Sequence, residues 1–328
     1  MNVATAVPVS LNVFGLIRGA LASYRAHFLL FLAATAVAQV PAWLAPVLAG
    51  YGASGTLDYL QVAALPEAHT VDEILAGWAA LGGGRLVGYG LLLIASALLN
   101  VAGTVLSAGA LAYLLATRPL PARPLAAAYR IVFRRLVPLF GAILLAGFIL
   151  CAVFLLAVGL LVFLMFVSYT LAPAGEAPPP VVVTLVSLAL WLLTLAGLAY
   201  VAYAFVRWAL FIQAIVLEDA GPADALRRSA ALLGGHWWRT ALLLTLVMLG
   251  QDALGSAASS LVGRIVGAAA GPTLAGLAGG LAFALVSVVY FPIAANALTL
   301  YYLALRARGQ AARSPRPSVG AARRLPIS

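Results

Sequence analysis

The sequence predicts an all-α, polytopic integral membrane protein: six transmembrane helices with amphipathic helices on their cytoplasmic side. Three observations predict it. The 328 residues are 64% hydrophobic and only 9% charged, with a mean hydropathy of +1.08. Several apolar runs exceed the ~20 residues that cross a bilayer core. All 19 basic residues are arginine, and seventeen of them flank the runs on one side, leaving only Arg85 and Arg264 on the other. Such a bias marks the cytoplasmic face, so both termini are expected in the cytoplasm of a multi-pass protein of the cell's inner (plasma) membrane. The acidic residues Asp58, Glu67, Asp72, Glu73 and Glu176 fall outside.

The opening residues MNVATAVPVS carry neither a charged segment nor an apolar one, so no cleaved signal peptide is expected. Phe14, Ile17, Leu21, Tyr24 and Phe28 then recur at steps of three and four, predicting an amphipathic helix with Arg18 and Arg25 off its apolar face. A first span follows at 27–49. The external loop 51–84 contains Thr70-Val71-Asp72-Glu73, the spacing of a capping box, which predicts a short surface helix ending near Gly82-Gly83-Gly84. After the span 86–117, Leu125, Tyr129, Val132 and Leu136 form a second apolar face opposed by Arg123, Arg130 and Arg134. The span 137–169 holds the one cysteine, Cys151, for which packing is the expected role. The prolines of APAGEAPPP, residues 172–180, make that stretch an external connector.

The fourth apolar run, 181–217, would measure roughly 55 Å as one helix against a core of ~30 Å, so its end must project, tilt or bend. A third amphipathic segment places Ala223, Leu226, Ala230 and Leu233 opposite Asp224, Arg227, Arg228 and Ala231. Pro222 and Asp224 suit its first turn, Gly234-Gly235 its end, and Trp237-Trp238 the membrane interface. Spans at 239–262 and 274–305 complete the membrane domain, 1–308, with a kink expected at Pro292. The tail 309–328 has no apolar periodicity and is expected to be a basic, disordered cytoplasmic segment, its arginines attracting anionic headgroups at ~1 kcal/mol each.

Aligning Ile17-Arg18 with Leu226-Arg227 also brings His27-Phe28 onto His236-Trp237. One reading is a threefold repeat of an interfacial helix plus two spans, starting near residues 10, 122 and 222. The other is that any basic juxtamembrane segment looks amphipathic. Within the spans the polar residues are few: Gln39, Asn100, Gln213, Gln251, Asp252 and Asn296. Asp252 is the best candidate for a functional intramembrane carboxylate unless the fifth span ends early and leaves it in external water. Gln39 and Asn100 are expected near the midplane. Gly84 with Gly88, and Gly276 with Gly280, have the spacing of close helix packing.

Arg207 and Glu218 share a helical face but lie three turns apart, so each is expected to find another partner. For Glu218 the arginines of the amphipathic helices are available, and a structural ion pair is preferred to a catalytic acid. The stretch RWALFIQAIVLEDAGPADALRRSAALLGGHWWRTALL, 207–243, resembles the motif of the glycerophosphoryl diester phosphodiesterase membrane domain family, as do FGLIRGALASYRAHFLLFL and LTLYYLALRARG near the two ends. The resemblance implies a stand-alone membrane domain and singles out Arg207, Glu218, Arg227, Arg228, Ser229 and Trp238. It implies no hydrolase activity, because no catalytic barrel follows in this chain.

There is no HExxH, Walker A loop or GxSxG elbow, and neither a metal site nor a cofactor is expected. Nucleic acid is not an expected partner, since sidedness already accounts for the arginines. The expected role is non-enzymatic: organising lipids, anionic headgroups or a partner membrane protein through the cytoplasmic amphipathic helices. The alternative is a transporter or permease for a lipid-like or small solute, with Asp252, Asn100 and Asn296 along its path. A third reading, an enzyme acting on headgroups, needs Glu218 and His236 to meet at one site.

Overall fold

In the computed structural model, which describes residues 12–54, 83–117, 119–170 and 179–313, every regular element is an α-helix. We number them α1 (Val13–Ala26), α2 (Phe28–Ser54), α3 (Gly83–Ala116), α4 (Pro124–Arg134), α5 (Leu136–Thr170), α6 (Pro180–Trp208), α7 (Phe211–Glu218), α8 (Pro222–Leu233), α9 (Trp237–Ala270) and α10 (Pro272–Arg313). Five segments are individually long and apolar enough to cross a membrane, and a sixth is obtained when α1 and α2, which meet at 94°, are taken together. An all-α polytopic membrane protein is therefore what this sequence builds. The predicted surface helix that starts at 70–73, residues 172–178 of the predicted connector 172–180 and the tail beyond 313 lie outside the described residues, while Pro180 already opens α6. Gly83 and Gly84 open α3, and α10 runs through Pro292 and on to Arg313, taking in the first five residues of the predicted tail, 309–313.

Three amphipathic helices, α1, α4 and α8, each lead into a long apolar helix through an elbow of the same hydrogen-bond pattern. The elbow residues are His27, Arg135 and His236. Each donates its N–H to the carbonyl three residues back, at Tyr24 (3.2 Å), Val132 (2.9 Å) and Leu233 (2.9 Å). Each offers its own carbonyl to the amide four residues on, at Phe31 (3.1 Å), Leu139 (3.0 Å) and Thr240 (3.1 Å). Burial repeats with the same register. Ala20, Ala128 and Ser229, seven before the elbow, are fully buried, and so are or nearly are Ala34, Ala142 and Leu243, seven after it. The helix–elbow–helix part of the expected unit thus recurs three times.

The chain forms two compact units, Met1–Ala128 with Val247–Ser328, and Tyr129–Leu246. In the first, α2 packs along α3, and α10 lies against α1, α2 and α3. A Cβ on Gly103 would lie 2.9 Å from the Ala38 carbonyl and 3.0 Å from the Ala42 methyl, so only glycine lets α2 and α3 approach so closely. α1 turns Val13, Leu16, Ala20 and Tyr24 inward; of the face predicted from its sequence only Tyr24 is buried, Ile17 and Leu21 are half-buried, and Phe14 and Phe28 are exposed. In a bilayer an apolar stripe can face lipid, so the most hydrophobic face need not be the packed one.

The C-terminal part of α9 and α10 form an antiparallel seam. Gly255 lies beneath the Phe283 ring, Gly279 beneath Ser259, Gly267 beside Ala275, and Gly250 accommodates the Tyr290 hydroxyl. Gly255, Ser259, Gly263 and Gly267 recur every four residues, one ridge of small side chains on which α10 rests. Of the glycines singled out from sequence, Gly88, Gly276 and Gly280 do not serve this purpose, since each has open space where a Cβ would stand.

In the second unit α8 packs on α5, α6 and α7, and α5 also packs along α6. Gly141 leaves room for Pro222, the first residue of α8, whose ring would lie 3.0 Å from a Cβ there. Cys151 is exposed on α5 instead of packed.

Candidate functional site

The fourth apolar run, expected to project, tilt or bend, breaks between α6 and α7. A break strands backbone groups: the Leu210 amide and the Arg207 carbonyl lose helical partners. Ser229, fully buried on α8, satisfies both. Its hydroxyl accepts from Leu210 N–H at 3.1 Å and donates to Arg207 C=O at 2.9 Å. At the equivalent places of the other two elbows, Ala20 and Ala128 carry no hydroxyl.

Beyond the break, α7 ends in a polar knot. Glu218 accepts from Arg228 through both carboxylate oxygens, Nε to Oε2 at 3.1 Å and Nη2 to Oε1 at 3.3 Å, a two-point pairing with the Glu218 side chain 18% exposed. This is the structural ion pair anticipated for Glu218. Asp219 turns the chain with φ +61°, a left-handed conformation in which a short polar side chain is tolerated. Arg135, the second elbow residue, pairs with the Asp219 carboxylate and donates to the Ile215 carbonyl at 2.9 Å. It thereby covers a free C-terminal carbonyl of α7 and ties α7 to the start of α5. Neither Arg135 nor Asp219 was singled out by sequence reasoning, because their pairing spans 84 residues and follows no local spacing.

Arg207, in the last turn of α6, lies with its guanidinium 5.6 Å from the Tyr203 ring centre and donates to the Tyr203 hydroxyl at 2.6 Å. Trp237 stacks on Tyr203 at 6.0 Å and donates its indole N–H to the Tyr203 carbonyl at 3.4 Å. Of the two tryptophans it is thus Trp237 that joins the site. Trp238, carried over by resemblance, is 79% exposed and touches it only edge-on through Trp237. Arg227 pairs with Asp224 on the exposed face of α8. Between α5, α6 and α8 lies a cavity of about 390 Å³, lined by the apolar Leu145, Ile149, Ala204 and Leu226 and by the cations Arg207 and Arg227.

Of the residues singled out by resemblance, Arg207, Arg227, Arg228, Ser229 and Glu218 thus gather where α6, α7 and α8 converge. The intramembrane polar candidates do not share one environment. Asn100 and Asp252 are exposed, on α3 and α9, whereas Gln39 and Asn296 are buried. Asp252 falls about 22 Å along α9 at 1.5 Å per residue, on a helix that continues to Ala270. The Asn296 amide has no hydrogen-bond partner for either atom among the described residues. His236 bonds Nδ1 to the Gly235 carbonyl at 2.7 Å, and its own carbonyl caps Thr240. Glu218 is held by Arg228 in this arrangement. Ala223, placed on the apolar face by sequence, is exposed at the cavity edge.

Compared with family models, with curated proteins and with solved structures, the chain shows no match to any of them.

Proposed function

We propose that this chain is a non-enzymatic protein of the cell inner membrane, akin to the glycerophosphoryl diester phosphodiesterase membrane domain family, that gathers anionic lipids at the cytoplasmic leaflet. The repeated elbow carries this reading. Three amphipathic helices lead into long apolar helices through the same hydrogen-bonded break, that between α1 and α2 bent by 94°, and Arg18, Arg25, Arg130, Arg134 and Arg227 stand on their exposed faces. A helix so placed lies at headgroup depth, where each arginine near an anionic surface contributes ~1 kcal/mol. The internal pairing of Glu218 with Arg228 and the backbone bonding of His236 favour a scaffold over an acid and base pair. The arginine sidedness of the sequence supports cytoplasmic placement of both termini.

Reconstitution tests the reading. Purified protein in vesicles containing fluorescent phosphatidylglycerol in a phosphatidylcholine background should raise probe self-quenching in proportion to protein. Replacing Arg18, Arg25, Arg130 and Arg134 by glutamine should abolish most of the effect. Self-quenching equal to that in protein-free vesicles would remove the basis of the proposal.

A further inference from the structure

Resting on that reading, we infer that the cavity between α5, α6 and α8 is a discrete binding site for one anionic phospholipid, its phosphate held by Arg207 and Arg227 and an acyl chain lying against Leu145 and Ile149. The site differs from the exposed arginines of the other amphipathic helices in being concave and two-sided. Its volume, about 390 Å³, is that of a ligand pocket, whereas an arginine on an open helix face has no walls.

The two ends of the cavity differ in chemistry. Arg207 belongs to the final turn of α6, and Arg227 to the amphipathic helix α8, so both cations lie at the end of the apolar run where headgroups lie. Leu145 and Ile149 belong to α5, a wholly apolar helix, and lead away from that end. Their neighbours Leu144 and Phe148 are 70% and 72% exposed, so this wall of the cavity adjoins the surface that meets lipid tails. A ligand matching this gradient is charged at one end and long and apolar at the other.

The cations are set for an oxyanion. Arginine carries five N–H donors in a planar fork. The Tyr203 hydroxyl takes one donor of Arg207, the guanidinium lies 5.6 Å from the centre of the same ring, and Trp237 stacks on that ring. Asp224 pairs with Arg227 on the exposed face of α8. It is the competing anion of the site: a bound phosphate takes over part of its role. A free phosphate ester shares the headgroup chemistry but leaves the apolar wall unused, which is why a phospholipid is the assigned ligand.

The test uses full-length protein in detergent micelles. Binding of dioctanoylphosphatidylglycerol is followed by Trp fluorescence and native mass spectrometry, with dioctanoylphosphatidylcholine, glycerol phosphate and inorganic phosphate as competitors. The site predicts saturable binding of one lipid, about fivefold weaker in Arg207→Gln and again in Arg227→Gln, and stronger in Asp224→Asn, which frees Arg227. The gain in Asp224→Asn separates a lost site from a misfolded variant. Equal binding of the phosphatidylcholine, or binding unchanged by both arginine substitutions, overturns the assignment. Displacement by inorganic phosphate or glycerol phosphate at the same concentration as lipid overturns the phospholipid in favour of a soluble phosphate ester. Site binding without vesicle clustering would sink the organising role alone, and vesicle clustering by the native protein without saturable binding of the lipid in micelles would sink this site alone.

Discussion

Ser229→Ala isolates the hydrogen bonds at the helix break from the packing around it. Alanine is what stands at the equivalent position of the other two elbows, at Ala20 and Ala128, so the backbone and the small volume are already compatible with it. What is lost is the hydroxyl that accepts from Leu210 N–H and donates to Arg207 C=O. A buried amide left unpaired costs about 1–3 kcal/mol, and a partly buried carbonyl, with a second lone pair and access to water, about 1 kcal/mol. The sum, about 2–4 kcal/mol, corresponds to roughly a thirty- to thousandfold shift in the opening equilibrium of this segment. The assay is hydrogen exchange of the peptide covering 207–218 in detergent, alongside a denaturant titration. Ser229→Thr, which keeps a hydroxyl, should retain most of the protection. Unchanged exchange and stability in Ser229→Ala would refute the claim that this side chain holds the break.

Other substitutions probe different parts of the account. Glu218→Gln and Arg228→Gln should each destabilise by about 1–3 kcal/mol, and the double variant by less than the sum, because the partner left behind is the costly species; additive losses in denaturant titrations would show that the pair is not coupled. Gly103→Ala should lower stability by about 1–3 kcal/mol by forcing α2 from α3, whereas Gly88→Ala, into open space, should be neutral or slightly stabilising; similar melting of the two proteins would contradict the packing described. Asn296→Leu removes an amide with neither atom bonded among the described residues, so it should raise the denaturation midpoint, and a loss of stability would mean that the amide has a partner in the folded membrane protein.

What could be read from the sequence depended on the range over which each signal acts. Span positions and the amphipathic segments α4 and α8 follow from local hydropathy, and Pro222, Asp224 and Gly234 mark boundaries by chemistry that acts within one turn. The packed face of α1 did not follow, because hydrophobicity cannot tell a lipid-facing stripe from a helix-facing one: Phe14 and Leu16 are equally apolar, yet one is exposed and the other buried. Close packing misled for a related reason. A Gly-x-x-x-Gly spacing is required for a close crossing but does not create one, and only the facing helix distinguishes Gly279 from Gly280. At the site, Glu218 could be assigned an arginine partner from its cost in isolation, but Arg135 with Asp219 and Tyr203 with Trp237 join residues far apart in the chain. The role of Ser229 needs the break opposite it, and a serine in an amphipathic helix carries no mark of that.

The most direct test of the organising role is the lipid composition of nanodiscs cut from native membranes around this protein with a styrene copolymer, compared with discs around a helix-neutralised protein in which Arg18, Arg25, Arg130 and Arg134 are glutamine. The account predicts that discs around the native chain are enriched in anionic phospholipid relative to the bulk membrane and that the neutralised protein returns them to the bulk ratio. Discs of bulk composition around both proteins would contradict it.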